Sequence, residues 1–366
     1  MTSRRPLSRA LLVFAAVALA LAGCTSSTRT ETATNDGAGV VGVALPTADD
    51  LAVERLGEAL RDELRARGYR VDLQYAAGDA RTQISQVQNM VTKGEEAVVL
   101  VPLSADALDG ARAAADGAGA PLVTAGRALD EGGAVEAFDP AATGRAQATA
   151  LLEALARDDD AARDDPATVA IVAGVAGVAE DPEAAAAHAA ATEVLAAGPV
   201  RIIAGADLES AAVADLPRDV EIAGEERVRA LYGTPGSETP DAILALGDAV
   251  GRGVVTALTT PDPDATASPS PTASADPEAV PPPPPVVVTS GGDALTVRAL
   301  RNGVVAATVF VDTRAGAGPV ADAVVAALDG EEPTPSAGPP PTTVERDAVE
   351  SVFLESGWLG AEDLSG

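Results

Sequence analysis

Aromatic residues make up 2% of this 366-residue chain, and it contains one cysteine, one histidine and one tryptophan. A single cysteine permits no intramolecular disulfide and no cysteine-based metal cluster. The lone histidine, His188, excludes a His-rich metal site, and its place on an alanine-rich helical stretch points to a structural role. With so few aromatics, the flat faces on which sugars and bases stack are scarce. Positive charge is scarce too: 25 Lys and Arg stand against 55 Asp and Glu, a net charge of −30. Such a surface repels phosphate backbones and anionic headgroups, so nucleic acid is not an expected partner. Catalytic signatures are missing as well. No G-x-G-x-x-G follows a strand, and there is neither a phosphate-binding Walker loop nor a G-x-S-x-G nucleophile elbow. The acidic runs Asp158-Asp159-Asp160 and Asp164-Asp165 lack the alternating ligands and central glycine of a calcium loop. The chain reads as a non-enzyme that needs no cofactor and no metal.

What is present begins at the N-terminus. Arg4, Arg5 and Arg9 precede an apolar run, Leu11 to Leu21, of signal-peptide length, closed by Leu21-Ala22-Gly23-Cys24. The run is too short for a comfortable membrane span. Its ending resembles the lipobox of bacterial lipoproteins, in which the cysteine thiol receives a diacylglyceryl group, and two acyl chains anchor stably. The expectation is a signal peptide over 1–23 and a lipidated Cys24 that anchors the chain on the extracytoplasmic face of the cell membrane. Ser3-Arg4-Arg5 leaves the export route open between the general secretory and twin-arginine pathways. Residues 24–38 are polar and aperiodic, as in a flexible tether.

From Gly39 onward the chain alternates short β-branched runs with helix-period stretches. Val40 to Leu45 and Ala97 to Val101 exemplify the first. Leu51, Leu56, Ala59, Leu60 and Leu64 exemplify the second, and that helix ends at Arg67-Gly68. Further strands are predicted at 70–76, 121–126, 134–138, 168–173, 200–205, 242–247, 286–290 and 306–311. Near-continuous apolar strands separated by helices imply parallel sheets covered on both faces. So many strands exceed one comfortable sheet, and two doubly wound α/β lobes result. Residues 260–285, rich in Pro, Ser, Ala and Asp, cannot form a core and read as a disordered insertion, either a spacer or a proline-motif docking site. A second Pro-rich patch follows at 333–341.

Several blocks together carry a resemblance. VGVALPT at 41–47, LRARGYRVDLQYAAGDARTQISQVQNMVTKG up to Gly94, GRAL at 126–129, AFDPAATGRAQA at 137–148 and LGDAVGRGVVTAL at 246–258 occur in that order. TSGGDAL at 289–295, ATVFVDTR at 307–314 and VERDAVESVFLESGWLGAEDL in the tail complete the series. The chain resembles periplasmic sugar-binding proteins of the xylose and multiple-monosaccharide ABC-transporter type, in a lipoprotein form. The resemblance implies the type I periplasmic-binding-protein fold, two Rossmann-like lobes joined by a three-crossing hinge. It implies an N-terminal lobe of residues 39–139 plus 312–331, a C-terminal lobe of residues 140–311, and a Pro-rich segment and tail over 332–366. The crossings would fall near Phe138–Ala141, Val311–Asp312 and Gly330. Ligands of doubly wound sheets sit beyond the carboxyl ends of the strands.

The resemblance also implies ligand-binding residues: Arg127, Phe138, Asp139, Asp248 and Asp293. Arg127 would donate from a planar guanidinium, the aspartates would accept from hydroxyls, and Phe138 would form an apolar floor. Other family positions are changed. A tryptophan is replaced by Val53, paired asparagines by Pro182-Glu183, an asparagine by Gly247, a glutamine by Gly291 or Gly292, and a lysine by Val311. Each change removes a donor, an acceptor or a stacking face. The implied function is a substrate-binding lipoprotein of a carbohydrate-type ABC importer, a monomer that partners a monosaccharide-like solute and a membrane permease. The alternative is a sensor or accessory lipoprotein with altered or lost ligand binding. Replacing residues 262–284 by a short Gly/Ser turn is expected to leave the melting temperature within a few degrees, because loop closure depends only weakly on length. A collapse of the thermal transition would show that the insertion packs.

Overall fold

The computed structural model describes residues 39–126, 139–157, 165–173, 182–207, 220–233, 238–260, 284–334, 336 and 338–365. The strand predicted at 134–138, most of the proline insertion, and Cys24 with its leader and tether lie outside these residues. So do Arg127, Phe138 and the acids Asp158 to Asp160 and Asp164.

The first sheet is built from β1 (Val40–Leu45), β2 (Arg70–Tyr75), β3 (Ala97–Leu100) and β4 (Leu122–Thr124), parallel and in the order β2-β1-β3-β4. Side chains alternate across it. Val41, Val43 and Leu45 meet Leu56, Leu60 and Leu64 of α1 (Leu51–Ala66), whereas Ala44, Val98 and Leu100 meet Val87 and Met90 of α2 (Ala80–Thr92) and Leu108 of α3 (Ala105–Ala118). The apolar residues of α1 fall three and four apart, which is why one face of the helix is buried. Asp50 caps that helix, its Oδ1 accepting from the backbone N–H groups of Ala52 and Val53 at 2.8 and 3.2 Å. Such a cap contributes about 1 kcal/mol.

The second sheet holds β5 (Ala167–Val172), β6 (Val200–Ala204), β7 (Ala242–Ala245), β8 (Val286–Ser290), β9 (Ala307–Phe310) and β10 (Thr342–Val344), in the order β10-β9-β8-β7-β5-β6. All are parallel except β10, which runs antiparallel to β9. One face carries α4 (Pro140–Arg157) and α5 (Pro182–Ala197). The other carries α6 (Val220–Gly233), α7 (Asp248–Thr259) and α8 (Ala294–Asn302).

After β9 the chain returns to the first sheet. A short 3-10 turn, Thr313–Gly316, leads into α9 (Ala317–Leu328), whose Ala317, Val320 and Val324 join the core beneath α1. The chain then comes back to the second sheet as β10, a strand too short and too polar in Thr342-Thr343 to be read from sequence. The tail beyond it is buried: Phe353 and Trp358 lie against Phe310 with ring centroids 4.9 and 4.7 Å away, edge to face. The Trp358 indole N–H donates to the Gly292 carbonyl at 2.9 Å, and the Arg314 guanidinium lies 5.3 Å from the indole ring. Trp358→Ala is expected to lower stability by about 3–5 kcal/mol, the cost of an emptied large aromatic site. Trp358→Phe, which leaves the Gly292 carbonyl without its donor, is expected to cost about 1–3 kcal/mol. Urea titration of the two variants measures both, and equal stability of Trp358→Ala and the parent would refute the tail's place in the core.

Candidate functional site

The carboxyl ends of β7 and β8 lie side by side, and each runs through glycine into an aspartate at a helix start. After β7 comes Gly247, with φ at 102°, and then Asp248, the first residue of α7. After β8 come Gly291, with φ at 90°, Gly292 and then Asp293, which caps α8. The Gly247 N–H donates to Ser290 Oγ at 3.2 Å and ties the two strand ends together.

Asp293 divides its carboxylate between two tasks. Its Oδ1 accepts from the Leu295 and Thr296 backbone N–H groups at 2.8 and 3.1 Å. Its Oδ2, like Asp248 Oδ1, is shielded from solvent and has no hydrogen-bond partner. Burial pushes the Asp248 carboxyl well above the ordinary carboxylate range. The neighbouring Asp293 carboxylate pushes it further, Asp50 adds to the same direction, and Arg252 opposes it. Arg252 is itself held by Glu221, its Nε donating at 2.8 Å.

Asp50 comes from the first lobe. The start of α1 is fixed against the second: Leu51 and Ala52 pack on the second-lobe core, Thr313 Oγ1 donates to the Ala52 carbonyl at 2.7 Å, and Arg55 Nη2 donates to the Trp358 carbonyl at 3.1 Å. The charge of Asp50, from the first lobe, thus acts on Asp248 of the second. Glycine and valine occupy much of the remaining strand-end backbone, at Gly247, Gly291, Gly292 and Val311.

Of the residues expected from sequence, Asp248 and Asp293 are brought together. Asp139 is exposed and is the N-cap of α4, accepting from the Ala142 N–H at 2.9 Å, with Arg145 3.9 Å away. Arg127 and Phe138 fall outside the described residues, although Gly126 before Arg127 ends the β4 segment with φ at 88°. His188 is buried, its Nε2 bonded to the Gly205 carbonyl at 2.9 Å, which is a packing role. Asp50 and Arg252 were not singled out from sequence. The signal for Asp50 was its place immediately before the first apolar residue of a periodic stretch, a cap position. Arg252 follows Asp248 by four residues, so both share one helix face. Among the described residues no cluster of three or more His, Cys, Asp or Glu is arranged to hold a metal ion. Among them, too, no helix is long and apolar enough to cross a membrane.

Comparison with known proteins places this geometry. The multiple sugar-binding periplasmic receptor ChvE of Rhizobium radiobacter is 33% identical over 124 residues, which cover 33% of this chain and 35% of that protein. The multiple sugar-binding periplasmic protein SbpA of Azospirillum brasilense is 27% identical over 122 residues, 32% of this chain and 34% of that protein. The matched segments thus span about a third of the length of these curated relatives. An ABC transporter solute binding protein from Clostridium phytofermentans, solved with bound β-D-glucose, superimposes with a TM-score of 0.72 at 25% identity, covering 89% of this chain and 100% of that one. A carbohydrate transporter solute binding protein from Chloroflexus aurantiacus, at 23% identity and a TM-score of 0.67 over 89% of this chain and 98% of that one, shares the fold. The family model for a periplasmic binding protein domain matches residues 41–332. With two wound parallel sheets, repeated crossings between them and acids gathered at the strand ends, the chain belongs to the periplasmic binding protein family and has its type I fold.

Proposed function

We propose that this chain is the substrate-binding lipoprotein of a carbohydrate-type ABC importer. It is anchored through Cys24 on the extracytoplasmic face of the membrane, and as a monomer it captures a small monosaccharide-like solute between its lobes and presents it to a permease. The observation that carries this reading is that the adjacent carboxyl ends of β7 and β8 run through glycine into Asp248 and Asp293 at helix starts, beside the braced start of α1 from the other lobe. Carboxylates accept from hydroxyls, and a ligand gripped from both sides favours the closed arrangement of a hinge. The descriptions of ChvE and SbpA as multiple sugar-binding proteins, and the glucose in the Clostridium phytofermentans structure, support a sugar as the solute class. Arg127, next to Gly126 at the end of β4, supplies the matching donor in this reading. A second reading, a sensor or accessory lipoprotein without a sugar ligand, draws on the bare positions Val53, Gly247 and Val311.

A thermal-shift screen of pentoses, hexoses and other small polar solutes separates the two. A binder raises the melting temperature, because a ligand at 100-fold its Kd adds about 2.7 kcal/mol by mass action. A flat response across the panel rejects the importer reading. For a binder found this way, Arg127→Ala is expected to weaken calorimetric affinity by about 1.5–3 kcal/mol, the range for a hydrogen bond to a charged group. Unchanged affinity would place the ligand elsewhere. Cys24→Ala is expected to release the protein from the membrane fraction, and retention at the same mature mass would refute lipidation at that residue.

A further inference from the structure

We infer that Trp358 is a positioning residue for the solute site, through which the first lobe, at Arg55, sets the backbone that carries Asp293 at the end of β8. The inference rests on the proposed binding role of Asp293 and names how the two lobes act on each other through it.

The segment Gly291 to Asp293 is held by its peptide groups, since its first two residues have no side chain. The Gly291 N–H donates to the Val309 carbonyl at 2.9 Å, and Thr308 Oγ1 donates to the Gly291 carbonyl at 2.9 Å, both from β9. The next carbonyl, that of Gly292, accepts the Trp358 indole N–H at 2.9 Å. A Cβ on Gly292 would lie 2.8 Å from the indole nitrogen, so this bond requires glycine there. The Gly292 carbonyl and the Asp293 N–H belong to one planar peptide group. The indole therefore fixes the plane from which Asp293 departs. Asp293 Oδ1 is committed to the cap of α8, while Oδ2 is a shielded acceptor without a partner, suited to a solute hydroxyl.

Trp358 is at the same time the place where the first lobe meets the tail. Its ring is buried in the second-lobe core, but its carbonyl accepts Arg55 Nη2 of α1 at 3.1 Å. Arg314, in the turn that leads back to the first sheet, donates from Nη1 to the Ser356 carbonyl at 3.1 Å, and its guanidinium lies 5.3 Å from the indole ring. The Arg55 contact is charge-assisted, yet it rests on one nitrogen, because Nη1 is taken by Glu58 at 2.8 Å. It forms when α1 lies against the tail and breaks when the lobes part. A large ring that is 1% exposed has no room to change rotamer, so a displacement of its backbone passes to the indole N–H. By linkage, a solute that orders Asp293 favours the same contact between the lobes.

Native-state hydrogen exchange of the full chain, without added solute, tests this in Arg55→Ala, Arg55→Lys, Trp358→Phe and the double variant Arg55→Ala/Trp358→Phe. The reporters are the Leu295 and Thr296 amides, which Asp293 caps. Arg55→Ala is expected to speed their exchange about fivefold or more while the amides of β1 and β3 keep the parent rate. Arg55→Lys, which keeps a cationic donor, is expected to retain most of the protection. In the Trp358→Phe background, where the Gly292 carbonyl has lost its donor, Arg55→Ala is expected to add nothing, whereas independent effects would sum. Parent-like exchange of Leu295 and Thr296 in Arg55→Ala overturns the inference, as does additivity in the double variant. Acceleration spread equally over both lobes also overturns it, since that marks a merely structural role. Should the Trp358→Phe chains fail to fold, Arg55→Ala and Arg55→Lys decide on the same amides. A flat solute screen rejects the importer reading and leaves this measurement intact, because no solute enters it.

Discussion

The close approach of side chains to the backbone at Gly291 and Gly292 is the constraint on which the functional half of the molecule turns. Two consecutive residues without side chains receive two different loads. On one side a Cβ at Gly291 would strike the Asp248 carboxylate. On the other a Cβ at Gly292 would lie 2.8 Å from both the Phe353 and Trp358 rings. The same short segment therefore joins the polar end of the sheet to its most aromatic core, and the Trp358 N–H bond to the Gly292 carbonyl fixes its position. Strand β8 enters this junction buried and leaves it as the cap of α8, so the orientation of Asp293 is set by its capping bonds from the Leu295 and Thr296 N–H groups.

Electrostatics then follow from architecture. In a parallel sheet the carboxyl ends of strands and the N-termini of helices converge, and helix N-termini ordinarily welcome a negative charge. Asp248 stands at such a place. Burial and the neighbouring Asp293 nevertheless outweigh that advantage and drive its carboxyl toward the protonated form. The charge of Asp50 at the start of α1 adds to the same effect from the other lobe, and the start of α1 is braced by Thr313 and by the tail at Trp358.

Much of this organisation was legible in the residues. The apolar runs of β1, β3, β5, β7 and β8 announced a sheet covered on both faces, and the three- and four-residue spacing in α1 announced its buried stripe. Asp248 and Asp293 were named on the family resemblance, and each follows a strand and glycine and stands at the start of a helix. The role of Asp50 was hidden by its own capping bonds, which explain it locally and say nothing of the opposite lobe. Asp139, expected to join the acids, also caps a helix and is exposed, since the pattern of strand end, Asp and helix is the same whether or not the carboxylate has a second neighbour. Strand β10 escaped notice because three residues carry no periodicity, and its antiparallel pairing with β9 is a long-range property. The aromatic tail core was equally non-local: Phe310, Phe353 and Trp358 are scattered in sequence and meet only in the folded chain.

The interleaving of the two sheets sets how such a chain can acquire its structure. Helix α9 completes the core over β1 only after β9 has been made, and Arg67 reaches across 255 residues of sequence to bond Asp322. The Trp358 carbonyl likewise receives Arg55 from 303 residues away. Neither core is complete without segments distant in sequence, and contacts of such long range slow folding. Each half thus lends the other a segment of its core, and the two are expected to unfold as one cooperative unit.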